Sequence, residues 1–198
     1  MKTKKISVTI GIPAYNEESN IASLLKSILS QNKKSYKLKE IIVISDGSTD
    51  TTNQEVARIK NSKIKLIKGI ERIGQQARQN QLISLFKGDV LIIIEADTLP
   101  YDYKTLSALV VPFLKDNNQK IAMVTGQAIS LQAKTLVEKI DYHGMKIKDK
   151  IFFEWRNGDN LYSTSGHAMK ALSRNFTSKL TFPTDVPPVF LAYRLFQP

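Results

Sequence analysis

The chain has 198 residues, 42% of them hydrophobic, and its 29 Lys and Arg against 18 Asp and Glu give a net charge of +11. This size and composition predict one globular domain with a substantial core, and the positive field attracts anions. The complete lack of cysteine excludes disulfides, thiolate zinc sites and cysteine nucleophiles.

The basic residues lack the features of a nucleic-acid site. Lysines cluster near the N-terminus and between positions 33 and 39, without interleaved aromatics or a recognised binding motif. We interpret them as solvated surface, with association with an anionic membrane as the alternative. No apolar stretch approaches the roughly 20 residues that span a bilayer. We expect a cytoplasmic protein, peripheral contact with the inner face of the membrane being left open, and no nucleic-acid partner.

Apolar segments and helical patterns alternate along the chain. Strands are predicted at residues 6–12, 40–45, 63–68, 90–94 and 121–125. Two amphipathic helices are predicted from the spacing of apolar residues at 21–29 and 106–114, and a longer one from Leu136, Ile140, Ile147 and Ile151. The first helix has a candidate cap in Asn16, followed by Glu17 and Glu18.

This alternation predicts an α/β fold with a mostly parallel central sheet covered by helices on both faces. Ligands of such sheets bind beyond the carboxyl ends of the strands. The loops at 13–18, 46–52 and 95–100 are therefore the candidate binding loops.

Each of these loops carries suitable chemistry. In the first, Tyr15 can stack on a base and the following helix presents its N-terminal amides to an anion. In the second, Asp46 can accept hydrogen bonds from a base or ribose, and Gly47 permits close backbone approach. In the third, Glu95 and Asp97 follow a buried strand one residue apart, and carboxylates suit Mg²⁺ or Mn²⁺.

The ordered set Pro-Ala-Tyr-Asn-Glu (13–17), Ser-Asp-Gly-Ser-Thr-Asp (45–50) and Glu-Ala-Asp (95–97) resembles glycosyltransferase family 2. The segments 74–80 and 88–90 also resemble the stretch that precedes the metal motif in this family. The resemblance covers residues 6–130 closely and is looser afterwards. It implies a GT-A fold, Rossmann-like, and an inverting transfer from a nucleotide-diphosphate sugar, with a UDP-sugar or GDP-sugar as donor and Mn²⁺ or Mg²⁺ as cofactor.

The resemblance also assigns roles to individual residues. Asp97 is implied as the metal ligand. The implied nucleotide-sugar-binding residues are Pro13, Ala14, Tyr15, Glu17, Asp46, Gln75, Arg78, Glu95 and Ala96. Gln75 stands where the family often has a lysine near the diphosphate, so a charge is missing there. Arg78 either compensates for that loss or is an exposed helix residue.

The base of an inverting transfer is the weak point of the pattern. Relatives usually carry a Glu-Asp pair in the slot that Pro187 and Pro188 occupy here, and neither proline accepts a proton. Asp185 lies slightly earlier and is the candidate base, with a loop carboxylate that caps a helix as the alternative. The chain ends at Pro198, before the Gln/Arg-x-x-Arg-Trp motif and membrane segments of many relatives, as expected of a compact member or of a shortened chain.

The predicted organisation is one GT-A domain over residues 1–198, with a donor-binding half at 1–126 and an acceptor-side half at 127–198. The acceptor is expected to be a saccharide or a lipid-linked hydroxyl, and the oligomeric state is not predicted. Two alternatives to an active transferase stay open: a non-catalytic nucleotide-sugar-binding module, and a sugar-phosphate nucleotidyltransferase. The latter is disfavoured because Gly11 is the only glycine near the N-terminus, where a Gly-rich triphosphate loop would lie.

Overall fold

The computed structural model describes residues 5–126, 135–154 and 168–184. Its strands are β1 (Ile6–Ala14), β2 (Tyr36–Ser45), β3 (Ile64–Lys68), β4 (Val90–Ile94), β5 (Met123–Thr125) and β6 (Met169–Ser173). Its helices are α1 (Ile21–Ser30), α2 (Thr52–Arg58), α3 (Gln75–Leu85), α4 (Thr105–Lys115), α5 (Leu136–Glu154) and the short α6 (Arg174–Thr177).

Within the described ranges, six strands form one sheet in the order β3-β2-β1-β4-β6-β5. The pairs β1–β2, β2–β3 and β1–β4 are parallel, whereas β6 runs antiparallel to both β4 and β5. The four parallel strands therefore bring the loops that follow β1, β2 and β4 to one edge, as the sequence predicts.

Helices pack on both faces of the sheet. On one face, residues such as Ile10 and Ile92 pack with apolar side chains of α1, α2 and α4. On the other face, Ile44 and Ile93 pack with Leu82 of α3 and with a segment that includes Phe182. Each fully buried aliphatic side chain contributes about 1.5–3 kcal/mol relative to exposure. These two cores fix the strand ends that carry the candidate loops.

Two strands differ from the sequence prediction. β2 begins at Tyr36 rather than residue 40, because buried Tyr36 and Leu38 alternate with exposed Lys37 and Lys39, an edge pattern that the lysine cluster obscures. β6 was not predicted, and its second residue is a buried lysine, Lys170.

Helix α5 confirms the long helix predicted after residue 135, but the four apolar side chains that predicted it are exposed. Leu136, Ile140 and Ile147 are 75%, 66% and 62% exposed. Among the described residues, no helix combines the length and the hydropathy that crossing a bilayer requires.

Candidate active site at the carboxyl ends of the strands

The loops after β1 and β2 are joined by hydrogen bonds. The Glu17 backbone N–H donates to Thr52 Oγ1 at 2.7 Å, and Asn16 Oδ1 accepts from the Thr49 backbone N–H at 2.9 Å. Glu18 Oε2 accepts from the Thr51 backbone N–H at 2.9 Å. These bonds fix the two loops as one wall of the site.

This arrangement corrects the predicted cap of α1. The helix begins at Ile21 rather than just after Asn16, and the residue before it, Asn20, makes no side-chain cap bond. Asn16 instead has a φ of 54° and uses its side chain to hold the second loop. Asparagine tolerates this left-handed conformation better than most residues, so the polar residues that suggested a cap serve loop packing.

Asp46, directly after β2, is the most constrained acid of the site. It is 4% exposed. Its Oδ1 accepts from the Ile73 N–H at 2.9 Å and from Arg78 Nε at 2.7 Å, and its Oδ2 accepts from the Gly74 N–H at 2.9 Å. Burial alone raises the pKa of this carboxyl, but the three hydrogen bonds and the Arg78 charge outweigh it and lower the pKa below its ordinary value. Asp46 is therefore an ionised acceptor at neutral pH.

Arg78 holds Asp46 in place from a position outside the cavity lining. Its guanidinium pairs with Asp46 and also donates to the Glu71 carbonyl at 2.8 Å and to Gln81 Oε1 at 3.0 Å. The residue is 6% exposed, so the alternative of an exposed helix position is wrong. The buried charge is matched by a carboxylate and two further acceptors, as a buried arginine requires.

Arg72 is brought to the site by the turn at Gly47. Gly47 has a φ of +69°, and a Cβ there would lie 2.7 Å from the Arg72 backbone nitrogen, so only glycine fits. The close approach that Gly47 permits is thus between its own backbone and the backbone at 71–72. Arg72 then extends over Tyr15, with its guanidinium carbon 3.9 Å from the centre of the ring. This cation–π contact joins the loop that carries Arg72 to the loop after β1.

The loop after β4 places two carboxylates in different environments. Glu95 is half-buried, and its Oε1 accepts from Gln75 Nε2 at 2.9 Å. Its backbone N–H donates to the Ala168 carbonyl at 2.8 Å, which ties the loop to the start of β6. Asp97 is exposed, and its Oδ1 accepts a long 3.4 Å hydrogen bond from Thr98 Oγ1. Asp97 therefore has carboxylate oxygens available for a cation.

These walls enclose a cavity of about 290 Å³, close to the lower limit of the roughly 300–1,000 Å³ range of small-molecule pockets. Its lining residues are Pro13, Ala14, Tyr15, Glu17, Asp46, Arg72, Gln75, Glu95, Ala96 and Asp97. Tyr15 and Arg72 form an aromatic and cationic part of the lining, which also holds Asp46 and Glu17, and Glu95 with Asp97 forms the acidic end after β4. A ligand with a flat ring at one end and a metal-bridged anion at the other matches this distribution.

Comparison with known proteins places the chain in a family. The model described as Glycosyl transferase family 2 matches residues 9–180, which is most of the sequence. The chain belongs to glycosyl transferase family 2. The matched range includes all three loops and the residues of the cavity.

Two curated relatives each match part of the chain. Poly-beta-1,6-N-acetyl-D-glucosamine synthase of Staphylococcus aureus (strain COL) is 29% identical over 134 residues, 67% of this chain and 31% of the relative. UDP-Glc:alpha-D-GlcNAc-diphosphoundecaprenol beta-1,3-glucosyltransferase WfaP of Escherichia coli is 36% identical over 90 residues, 46% of this chain and 35% of the relative. The chain spans about a third of the length of these relatives.

A solved structure supports the fold of this family 2 member. Mannosyltransferase PcManGT from Pyrobaculum calidifontis, in complex with GDP-Man and Mn²⁺, superimposes with a TM-score of 0.67 at 22% identity. The match covers 93% of this chain and 49% of that one. The predicted α/β fold of the GT-A type is therefore confirmed.

The structure gathers the sequence-predicted residues of this family 2 chain unevenly. Every predicted donor-site residue except Arg78 lines the cavity, together with Asp97. Arg78 lies behind Asp46 rather than along the lining. Asp185, the predicted base, lies outside the described residues, as do Pro187 and Pro188. The roles of all these residues stay predictions.

Sequence reasoning missed Arg72. It lies in the loop before α3, where neither periodicity nor a motif singles it out, and its position depends on the turn at Gly47. The signal that could have found it is a glycine at the end of β2, because a positive-φ turn there lets a later loop approach the first one.

The acidic end fits a divalent cation that is completed by ligand oxygens. No group of three or more His, Asp or Glu that could hold a metal occurs in the parts of the chain that the structure describes. Mg²⁺ is usually held by one or two carboxylates together with water and substrate phosphates, and does not require a protein cage. Asp97, with Glu95 beside it, meets that requirement only when a phosphorylated ligand is also bound.

Proposed function

We propose that this chain is an inverting glycosyltransferase that moves a sugar from a nucleotide-diphosphate sugar to an acceptor hydroxyl, with a divalent metal at the leaving nucleotide. The observation that carries this proposal is the meeting of three strand-end loops in one cavity, with Tyr15, Asp46 and Asp97 all in its lining. Family membership and the activities for which both relatives are named support it.

The nucleoside end of the donor is proposed to bind near Tyr15 and Arg72. A nucleobase presents a flat π-surface on which an aromatic ring or a guanidinium stacks. Asp46, held ionised by Arg78 and two backbone amides, accepts a hydrogen bond from a base N–H. An acceptor kept charged at neutral pH discriminates in favour of bases that present a donor in that direction.

The diphosphate end is proposed to lie at Glu95 and Asp97. Asp97 holds the cation, and Glu95, oriented by Gln75, lies beside the ribose and diphosphate. When bound, Mn²⁺ or Mg²⁺ acts as a Lewis acid that neutralises charge on the departing nucleotide. The bound GDP-Man and Mn²⁺ named for PcManGT support this pair of ligands.

The acceptor side is proposed to occupy residues 127–198 of a single domain, opposite the donor half at 1–126. Asp185 is the proposed base, taking the proton from the acceptor hydroxyl as that oxygen attacks the anomeric carbon from the face opposite the leaving group. The acceptor is proposed to be a saccharide or a lipid-linked saccharide. The diphosphoundecaprenol-linked acceptor in the name of WfaP supports the second of these.

We further propose peripheral contact with an anionic membrane through α5. Its exposed apolar side chains, such as Leu136 and Ile147, lie on one helix with Lys139, Lys146 and Lys150, a combination typical of helices that lie in the membrane interface. Flotation with vesicles that contain anionic lipid, compared with neutral vesicles, measures this directly. Equal recovery of the protein with both kinds of vesicle, or no recovery with either, contradicts the proposal.

Calorimetry tests the donor site. We expect UDP or GDP to bind in the presence of Mn²⁺, and Asp97→Asn to abolish the metal-dependent part of the affinity. Asp116→Asn, which changes an Asp at the end of α4 outside the cavity lining, is the matched control and keeps wild-type affinity. Failure of the wild-type protein to bind either nucleotide contradicts the proposal.

Turnover separates the transferase from the alternatives. Incubation with a nucleotide sugar and a saccharide panel is expected to release nucleoside diphosphate, and Asp185→Asn to remove that release. Donor binding without release across the panel favours a non-catalytic module. Pyrophosphate formed from a nucleoside triphosphate and a sugar phosphate favours a nucleotidyltransferase.

A further inference from the structure

A buried lysine lies next to the acidic end of the cavity. Lys170, the second residue of β6, is 8% exposed and pairs in register with Ile93 of β4, two residues before Glu95. Lys170 and Leu172 project to the same face of the sheet, because strand side chains alternate. That face is the one packed by α3, whose first residue, Gln75, donates to Glu95.

The Lys170 ammonium has no matched acceptor in the described part of the chain. Its recorded contact is with the ring of Phe182, whose centre lies 5.4 Å from Nζ. Burial lowers the pKa of Lys170, and the nearby Glu95 carboxylate opposes this shift. A largely buried ammonium costs free energy unless a negative charge lies nearby, so a lysine at this position of β6 calls for a functional reason.

The charges of the cavity supply that reason. Arg72 is the cation among the lining residues, and it stacks on Tyr15, whereas Glu95 and Asp97 make the other end doubly negative. A diphosphate adds further negative charge at that end. One divalent cation balances the two carboxylates alone and leaves the diphosphate unmatched. Lys170 is the buried cation beside Glu95, where the dielectric constant is low and a charge acts over several ångströms.

We propose that Lys170 is a positioning residue for the diphosphate end of the donor site, where its buried ammonium balances Glu95 and so selects nucleoside diphosphates over nucleoside monophosphates and nucleosides. This inference rests on the proposed function and adds a residue to it. Lys170 does not line the cavity, so it acts through its charge and through Glu95 rather than by contact with the nucleobase.

The test is calorimetry with UDP, UMP and uridine, or the guanine series where GDP is the better ligand, each with Mn²⁺. Lys170→Met removes the charge and keeps an unbranched side chain. We expect the affinity for the diphosphate to fall about tenfold or more, equivalent to about 1.4 kcal/mol. The monophosphate is expected to lose less, and the nucleoside less than about twofold, since a field effect scales with ligand charge.

Two further variants separate charge from structure. Lys170→Arg keeps the charge and is expected to bind the diphosphate within about threefold of wild type. Lys33→Met removes another partly buried lysine whose pKa is also lowered by burial, outside the cavity lining, and is expected to change no affinity. Thermal unfolding of Lys170→Met is expected at or above the wild-type temperature, because the desolvation cost of a buried ammonium is removed.

Several outcomes overturn the inference. Equal losses for diphosphate, monophosphate and nucleoside indicate a structural role, as does Lys170→Arg behaving like Lys170→Met. If the wild-type protein binds the diphosphate and Lys170→Met binds it equally well, the proposed role of Lys170 is rejected and the proposed function is not affected. Failure of wild type to bind either diphosphate instead rejects the proposed function on which the inference rests.

Discussion

Arg78→Met tests whether the buried Asp46–Arg78 pair organises the site. The side chains are 7% and 6% exposed, and Nε lies 2.7 Å from Oδ1. Removing one partner of such a pair leaves an uncompensated buried charge, which costs about 3–5 kcal/mol. For a chain of this size each kcal/mol lowers the unfolding midpoint by about 2–4 °C, so a fall of roughly 6–20 °C is expected.

Urea unfolding of Arg78→Met measures this cost, with Arg58→Met as the matched control. Arg58 pairs with Glu55 on the exposed side of α2, where the arginine side chain is 72% exposed. Surface pairs contribute about 0–1 kcal/mol, so the control is expected to remain near wild type. Equal losses in the two variants refute the view that burial of the Asp46 pair sets its importance.

A second variant and the pH dependence sharpen the same test. Arg78→Met combined with Asp46→Asn is expected to regain stability relative to Arg78→Met, because the unmatched charge is gone. The lowered pKa of Asp46 means that its stabilisation is fully present above the ordinary value of 3.8 and is lost as pH falls through the lower folded value. In Arg78→Met, the pH-dependent contribution of Asp46 to the free energy of unfolding is expected to be smaller. An acid unfolding profile that keeps its wild-type shape contradicts this assignment.

Other features of the site give further predictions. Gly47→Ala is expected to destabilise the protein by at least about 1 kcal/mol in urea unfolding, because a φ of +69° is strained for alanine and a Cβ meets the 71–72 backbone. Unchanged stability rejects this. Thr52→Val removes the acceptor of the Glu17 N–H and is expected to cost about 1–3 kcal/mol, with a loss below a few tenths counting against the interlocked loops. Arg72→Gln is expected to weaken nucleotide binding roughly threefold to thirtyfold in calorimetry through loss of the contact over Tyr15. Lys104→Gln, which breaks a similar contact with a tyrosine outside the cavity lining, is the control and is expected to change nothing.

The sequence predicted the parts of the site that depend on strand ends. Tyr15, Asp46 and Asp97 each follow an apolar strand, and parallel pairing brings such positions to one edge whatever the loops do in detail. The sheet and its helices were predictable for the same reason, because hydrophobic periodicity is local information. The strand β6 was not, because Lys170 interrupts its apolar pattern and only the tertiary pairing with β4 explains it.

Residues brought together across loops were beyond sequence reasoning. Arg72 reaches Tyr15 because Gly47 lets two backbones approach, and Arg78 is buried because Asp46 and the Glu71 carbonyl accept hydrogen bonds from its guanidinium. Both effects depend on distances between segments about 25 to 60 residues apart, which no local pattern encodes. The same limit explains why a cap was expected at Asn16: its side chain bonds the neighbouring loop instead of its own helix.

The two aspartates of the site show how burial divides one chemistry into two tasks. Asp46 accepts three hydrogen bonds from the protein itself, so its carboxylate is fixed in position and charge. It is therefore suited to select a nucleobase by the direction of the N–H group that the base presents. Asp97 is exposed and makes a single weak bond of 3.4 Å, so it retains the free oxygens that a hard cation requires. Exchange of these environments would remove both proposed functions, since a fully bonded carboxylate coordinates a cation poorly and a solvated one discriminates poorly between bases. The site therefore depends less on the presence of acids at strand ends than on Arg78 burying one of them while the other is left in solvent.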